Sequence, residues 1–120
     1  MKVLIVEDQK DTSEYLSTLL QSYDIIVHTC TNSLQALELV CSNQYNWAII
    51  DLNLEGSIQG EELIEELKKY RPEIKMIVST GLFLSNDQKN KFIKLGVKAV
   101  LEKPYQEDVL INLLFNKLIN

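Results

Sequence analysis

The segment KVLIVED, residues 2–8, is a short apolar run that ends on two adjacent acidic residues, Glu7 and Asp8. Its continuous valine, leucine and isoleucine content is typical of a strand buried on both faces of a parallel sheet. The segment WAIID, residues 47–51, has the same design, since its apolar run ends on Asp51. Both segments therefore predict buried strands that deliver carboxylates at their carboxyl ends.

Similar apolar runs recur along the chain, separated by stretches of helical periodicity. The predicted strands are residues 2–6, 25–30, 47–50, 74–79 and 99–101. Five strands that alternate with five helices predict an α/β domain with a parallel sheet covered on both faces, joined by right-handed crossovers.

The helices are predicted from apolar spacing and from residues that start or stop a helix. Asn32 or Ser33 can cap the second helix, and Ser85 with Gln88 has the spacing of a capping box. Gly60 is expected to open the third helix, Gly96 to stop the fourth, and the last helix to span 109–118. The residues expected to face the core are Leu16, Leu19, Leu20, Tyr23, Leu34, Leu37, Val40, Leu63, Ile64 and Leu67.

Length and composition indicate one domain over residues 1–120. Of the 120 residues 46% are hydrophobic, and the formal net charge is −5. This balance predicts a packed core without a basic surface for nucleic acid. Neither a signal peptide nor an apolar segment long enough for a bilayer is present, so a cytoplasmic location without membrane contact is expected. Cys30 and Cys41 lie in apolar stretches and are expected to be small core residues.

The strand ends predict where chemistry would take place. Ligands of doubly wound parallel sheets bind at the carboxyl ends of the strands, where the strand order reverses. There the predicted strands deliver Glu7 and Asp8, Asp51, Thr80 and Lys103. Three converging carboxylates would repel one another unless a cation compensates, and such hard oxygen ligands suit Mg²⁺. The single histidine, His28, lies within a predicted strand, which argues against zinc.

At these positions the sequence resembles, over its whole length, the receiver domain of two-component response regulators. The shared pattern is an acidic pair after strand one, an aspartate after strand three, a threonine after strand four and Lys-Pro after strand five. The resemblance implies a flavodoxin-like (βα)5 fold with strand order 2-1-3-4-5. It also implies that the chain is a receiver domain without an output domain.

The resemblance further implies a role for each matching residue. Asp51 would be the phosphoacceptor, and Lys103 and Thr80 would bind phosphoryl oxygens. Mg²⁺ would be held by Asp8, Asp51, the backbone carbonyl of Asn53 and, through water, Glu7.

The expected partners also follow from the resemblance. The donor would be a sensor histidine kinase or a histidine phosphotransferase, and the output a partner protein or a fused domain. Such a protein would be a signalling switch rather than a turnover enzyme, although it catalyses its own phosphorylation and slow dephosphorylation. Lysines on helix four and acids on helix five are compatible with a phosphorylation-dependent homodimer through the last two helices.

The chain departs from the family pattern at several places, among them Gly81, where alanine is commoner beside the threonine. The loop after Asp51 has Glu55 where proline is usual, and Gly60 falls one residue late, so a longer and more mobile loop is expected. Val100 occupies the position, three residues before Lys103, where the family has a tyrosine or phenylalanine that swings inward. Because valine is small and stiff at χ1, we expect the switch to be relayed by residues 81–84, with Phe83 as the nearest aromatic.

Three alternatives remain open at this point. An aspartate-dependent phosphatase would typically have Asp-x-Asp after its first strand, whereas this chain has Glu7-Asp8-Gln9. A flavin or nucleotide binder would need a phosphate loop rich in glycine, serine or threonine there. A receiver-like interaction module that works without phosphorylation is the strongest alternative, because of the altered loop and Val100.

Overall fold

Five strands and five helices alternate along the chain in the computed structural model, which describes residues 1–52, 60–81 and 83–115. The strands are β1 (Lys2–Val6), β2 (Ile26–Cys30), β3 (Trp47–Asp51), β4 (Lys75–Thr80) and β5 (Ala99–Glu102). The helices are α1 (Lys10–Gln21), α2 (Ser33–Ser42), α3 (Gly60–Tyr70), α4 (Asn86–Lys94) and α5 (Glu107–Leu114).

The strands form one parallel sheet in the order β2-β1-β3-β4-β5. This confirms the expected strand order. The chain moves from β1 outward to β2 and then crosses back to β3 on the other side of β1, so the order reverses between β1 and β3. The crevice expected at the carboxyl ends of these two strands is where a ligand would bind.

Apolar side chains cover both faces of the sheet, because successive strand residues point to opposite faces. One layer joins the sheet to α2, α3 and α4, and the other joins it to α1 and α5. Each fully buried leucine or isoleucine contributes about 1.5–3 kcal/mol to folding. The central members of the first layer are Leu4, Val6, Val40, Ile50, Leu63, Leu67 and Val78. Those of the second are Val3, Ile5, Leu20, Ile49, Ile77 and Leu110.

Three predictions of burial were wrong. Leu34 is 61% exposed, and the buried face of α2 is formed instead by Ser33, Ala36 and Val40. Tyr23 is exposed because α1 ends at Gln21, before the phenol could reach the core. Cys41 is exposed, whereas Cys30 is buried as expected.

The ends of the helices follow local capping chemistry. The side chain of Asn32 accepts a hydrogen bond from the Gln35 amide, and Ser85 and Gln88 form the predicted capping box. Helix α5 begins at Glu107, two residues before the prediction, and its predicted end at residue 118 lies outside the described residues. No helix in the described parts of the chain has the length and apolar character needed to cross a membrane.

The turn between α4 and β5 requires a glycine at position 96. Gly96 has φ of 105°, and a Cβ there would lie 3.0 Å from Cε of Lys68. We therefore expect Gly96→Ala to lower the free energy of unfolding by about 1–2 kcal/mol in urea denaturation. Gly81→Ala is the control, because a Cβ at Gly81 would meet nothing within 4 Å. Equal losses in the two variants would contradict the assignment of strain to Gly96.

Candidate functional site

Three carboxylates meet at the carboxyl ends of β1 and β3. Glu7 and Asp8 follow β1, and Asp51 is the last residue of β3. One carboxylate oxygen from each lies within 4.8 Å of the others. Glu7 and Asp51 are only 3% and 5% exposed, whereas Asp8 is partly exposed. The sequence-predicted acidic site is therefore assembled as expected.

Backbone pairing fixes the position of Glu7. Val6 and Ile50 are register partners in the β1–β3 ladder, so the residues that follow them emerge side by side. The Glu7 amide donates to the Cys30 carbonyl at 3.0 Å, which ties it to the end of β2. The Gln9 amide donates to Oε2 of Glu7 at 3.3 Å. The carboxylate is thus held inside the crevice.

Lys103 supplies the positive charge of the site from the end of β5, a strand at the edge of the sheet. It follows β5, and its backbone amide donates to the Thr80 carbonyl at 2.7 Å. Its ammonium donates to Oε1 of Glu7 at 2.8 Å and lies 3.6 Å from Oδ2 of Asp51. The peptide bond from Lys103 to Pro104 is cis. One ammonium therefore contacts two buried carboxylates.

The pKa values of Glu7 and Lys103 reflect the close approach of these charged groups. Burial, reinforced by the neighbouring Asp51 carboxylate, raises the pKa of Glu7 to about 7 even though Lys103 opposes the shift. For Lys103, burial acts to lower the pKa, but the hydrogen bond to Glu7 and the charges of Asp51 and Glu7 outweigh it and raise the pKa. The carboxylates outnumber the one ammonium, which favours the binding of a further cation.

Thr80 and Tyr105 complete the surroundings of the site. Thr80 ends β4 and is fully buried, and Ser79 before it is the register partner of Asp51. Tyr105 was not among the predicted site residues. Burial raises the pKa of its phenol, while the Ser79 hydroxyl and the Lys103 ammonium act to lower it. Its position directly after Lys103-Pro104 was the only sequence signal for a place near the site.

The other residues considered from the sequence either lie outside the described residues or have other surroundings. Asn53, whose carbonyl was expected to bind metal, and Glu55 lie outside the described residues. Val100 is half-buried and packs against the layer beneath α2, α3 and α4. Phe83 is 90% exposed. His28 is the middle residue of the edge strand β2, and its Nδ1 is 2.7 Å from the Tyr45 hydroxyl.

The donor set of the acidic cluster fits a hard divalent cation. Glu7, Asp8 and Asp51 offer oxygen ligands only, and two of them are buried. Mg²⁺ commonly binds one or two carboxylates together with water and phosphate oxygens. Because Asp8 is partly exposed, the cluster is open on that side, as water and phosphate ligands would require. The residues present therefore fit Mg²⁺.

Comparison with known families and relatives agrees with the geometry. The family profile of the response regulator receiver domain matches residues 3–115. A putative response regulator NtrX-like protein of Rickettsia bellii is 31% identical over 113 residues, which cover 93% of this chain and 23% of the relative. The transcriptional regulatory protein CusR of Escherichia coli is 30% identical over 105 residues, covering 88% of this chain and 45% of CusR. The chain thus spans less than half the length of these relatives.

Solved structures with the same architecture include receiver domains. The receiver domain of the Francisella response regulator 1452 is 27% identical, with a TM-score of 0.85 and 97% of both chains covered. A response regulator from Burkholderia pseudomallei is 25% identical, with a TM-score of 0.84, 94% of this chain and 65% of that chain covered. The latter structure contains a phosphorylated aspartic acid, a calcium ion and citrate.

The raised pKa of Glu7 predicts how stability depends on pH in metal-free protein. Between the usual value, 4.5, and about 7, the folded state keeps a proton that the unfolded state has lost, so stability falls as pH rises through this window. Glu7→Gln removes that loss. Its stability relative to wild type should rise between pH 5 and pH 8 by on the order of 1–3 kcal/mol in urea denaturation with chelator.

Glu14→Gln serves as the control for this measurement. Glu14 is exposed and only approaches Lys10, at 3.8 Å on the surface of α1. Its difference from wild type should be the same at both pH values. If the stability difference between Glu7→Gln and wild type were also the same at both pH values, the raised pKa of Glu7 would be contradicted.

Proposed function

The chain belongs to the response regulator receiver family, and on this premise we propose that Asp51 is the phosphoacceptor of a phosphorylation switch. Receiver domains act as phosphorylation-dependent switches in two-component signalling. The observation that carries the assignment is the contact of one ammonium, Lys103, with Glu7 and with Asp51 at the point where the strand order reverses. A buried aspartate between a cation and further carboxylates suits phosphoryl transfer, which depends on positioning and charge stabilisation.

Asp51 acts as the nucleophile in the proposed reaction. One of its carboxylate oxygens attacks phosphorus, a new P–O bond forms and the bond from phosphorus to the leaving group breaks. With a phosphohistidine donor the leaving group is the imidazole, and with acetyl phosphate it is acetate. The product is an aspartyl phosphate.

Neighbouring residues stabilise the transferred group. The Lys103 ammonium moves from the carboxylates to a phosphoryl oxygen, and Thr80 donates a hydrogen bond to another. Asp8 and Asp51 would hold Mg²⁺, with Glu7 contributing through water and the Asn53 carbonyl as a further ligand. The bound cation supplies the positive charge that lowers repulsion between the carboxylates and the incoming phosphoryl group.

The proposed donor is a histidine kinase or a histidine phosphotransferase. Such a partner must bring an imidazole to Asp51, so it has to dock beside the site. An apolar groove of about 340 Å³ lies next to Lys103, between α1 and the segment after β5. It is lined by Tyr15, Leu16, Leu19, Pro104 and Tyr105 among others. Because the histidine of such donors receives its phosphoryl group from ATP, the cytoplasm is the proposed place of the reaction.

The output of the switch is proposed to be a change in protein association. The site holds its product as a covalent phosphate, so the chain acts as a signal carrier rather than as an enzyme with steady turnover. A partner protein, a fused output domain or a second copy of the chain would recognise the phosphorylated form. On α4, Ile93 is 46% exposed and is flanked by Lys91 and Lys94, while α5 begins with Glu107 and Asp108. These features support a homodimer through α4 and α5.

Mass spectrometry of the intact protein tests the phosphoacceptor directly. After incubation with Mg²⁺ and acetyl phosphate, wild type should gain the mass of one phosphoryl group. Asp51→Asn should gain none, because an amide cannot form the aspartyl phosphate. Asp108→Asn, at an exposed acid of α5, should be modified like wild type, which excludes a nonspecific effect of losing one charge.

The alternatives predict other outcomes of the same incubation. Wild type without any mass gain, from acetyl phosphate or from a phosphorylated histidine phosphotransferase, would favour an interaction module that works without phosphorylation. Continuous release of phosphate without a lasting adduct would favour a phosphatase.

Sedimentation velocity tests the proposed dimer. Mg²⁺ with beryllofluoride, a phosphoryl mimic, should shift wild type from monomer to dimer. Ile93→Lys should remain monomeric, because it places a charge in the proposed apolar contact. The matched control is Tyr70→Lys, which changes a similarly exposed ring on α3. A monomer with beryllofluoride bound would exclude this form of output.

A further inference from the structure

The position of Lys103 depends on a short edge strand. Strand β5 has four residues, each only partly buried, and within the described chain it pairs with β4 alone. Its last residue, Glu102, is the register partner of Thr80, and the next amide, that of Lys103, donates to the Thr80 carbonyl. Whatever holds Glu102 therefore also holds the backbone from which Lys103 reaches the acidic cluster.

Helix α4 holds Glu102 through an ion pair. Nζ of Lys89 lies 2.6 Å from Oε1 of Glu102, and the two side chains are 35% and 34% exposed. The capping box at Ser85 fixes the first turn of α4, and the Lys89 amide donates to the Ser85 carbonyl at 3.0 Å. Lys89 thus projects from α4 close to its capped amino-terminal end.

Few other contacts anchor α4. Phe92 is its one buried residue, so apolar packing alone defines the position of the helix weakly. An ion pair that is two-thirds buried is less screened by water and salt than a fully exposed one. Its contribution to global stability remains small, but the pair connects α4 directly to the last residue of β5.

We propose that Lys89 is a positioning residue for phosphoryl transfer, acting through Glu102 on Lys103 and Thr80. The inference rests on the proposed function of Asp51. With the ion pair in place, the end of β5 is held against β4 and the Lys103 ammonium stays at the acidic cluster. Without it, the end of β5 is less constrained, and the Glu102 carboxylate loses a counter-charge one residue away from Lys103.

The same helix provides a matched control. Nζ of Lys91 lies 3.3 Å from Oε2 of Glu61, with side chains 63% and 42% exposed. This pair joins α4 to α3 and does not touch β5. Lys91→Met therefore removes a lysine and an ion pair from α4 while leaving the Glu102 contact intact.

Ligand binding separates positioning from general damage. Lys103 and Thr80 bind phosphoryl oxygens in the proposed site, whereas Mg²⁺ is held by carboxylates. Lys89→Met should weaken binding of beryllofluoride, measured at saturating Mg²⁺, by about threefold to fivefold, the size expected from losing one partly exposed ion pair. Its affinity for Mg²⁺ should stay within about twofold of wild type. Lys91→Met should leave both affinities at the wild-type level.

Amide hydrogen exchange tests the link without metal or phosphoryl mimic. The Lys103 amide, which donates to the Thr80 carbonyl, should exchange about threefold to fivefold faster in Lys89→Met than in Lys91→Met, because local opening of the β5 end becomes easier. The charge swap Lys89→Glu with Glu102→Lys should restore both the exchange rate and beryllofluoride affinity to within about twofold of wild type.

The outcomes distinguish this inference from the proposed function. If wild type is phosphorylated but Lys89→Met matches it in beryllofluoride affinity and Lys103 exchange, the positioning role is wrong and the phosphoacceptor stands. Parallel losses of Mg²⁺ and beryllofluoride affinity in Lys89→Met would also overturn the inference, since they indicate general damage. If wild type takes no phosphoryl group, the proposed function of Asp51 is wrong, and the positioning role that rests on it is wrong as well.

Discussion

The contact of the Lys103 ammonium with the buried carboxylates of Glu7 and Asp51 is the interaction on which the rest of the site depends. Carboxylates this close and this poorly hydrated repel one another, so their burial is costly unless positive charge is nearby. Lys103 supplies one charge and leaves an excess of negative charge. That imbalance suits a pocket that attracts a divalent cation, and under the proposed function it would let Lys103 turn to a phosphoryl group.

The sheet divides the site into a rigid part and an adjustable part. Strands β1 and β3 lie inside the sheet, and their apolar residues are buried on both faces, so the acids at their ends have little freedom. Strand β5 lies at the edge and is partly exposed along its whole length. The acids therefore follow strands inside the sheet, while Lys103 follows a short strand at its edge.

Local chemistry made much of this arrangement predictable. Continuous apolar runs identified every strand, and capping residues such as Asn32 and Ser85 identified helix starts, because these signals act over a few residues. The strand ends then predicted the acids, the lysine and the threonine. Which face of α2 is buried was not predictable, since it depends on how the helix packs on the sheet. That packing buries Ala36 and exposes Leu34. The pairing of Lys89 with Glu102 and the burial of Tyr105 likewise depend on tertiary contacts between separate elements.

The valine at position 100 limits how a change at Asp51 can travel. Val100 is the register partner of Val78 and packs against the apolar layer beneath α2, α3 and α4. Its short, stiff side chain is therefore not expected to make the inward rotation of the usual aromatic. In the proposed switch, motion of Thr80 would then leave the site through the backbone. Two routes begin there: the chain itself, which continues into the loop before α4 with its exposed Phe83, and the hydrogen bond from the Lys103 amide to Thr80. Because the second route continues from Glu102 to Lys89, both routes converge on α4, a helix with one buried side chain. Since α4 is held in the core by Phe92 alone among its residues, we propose α4 as the element that reports the state of Asp51.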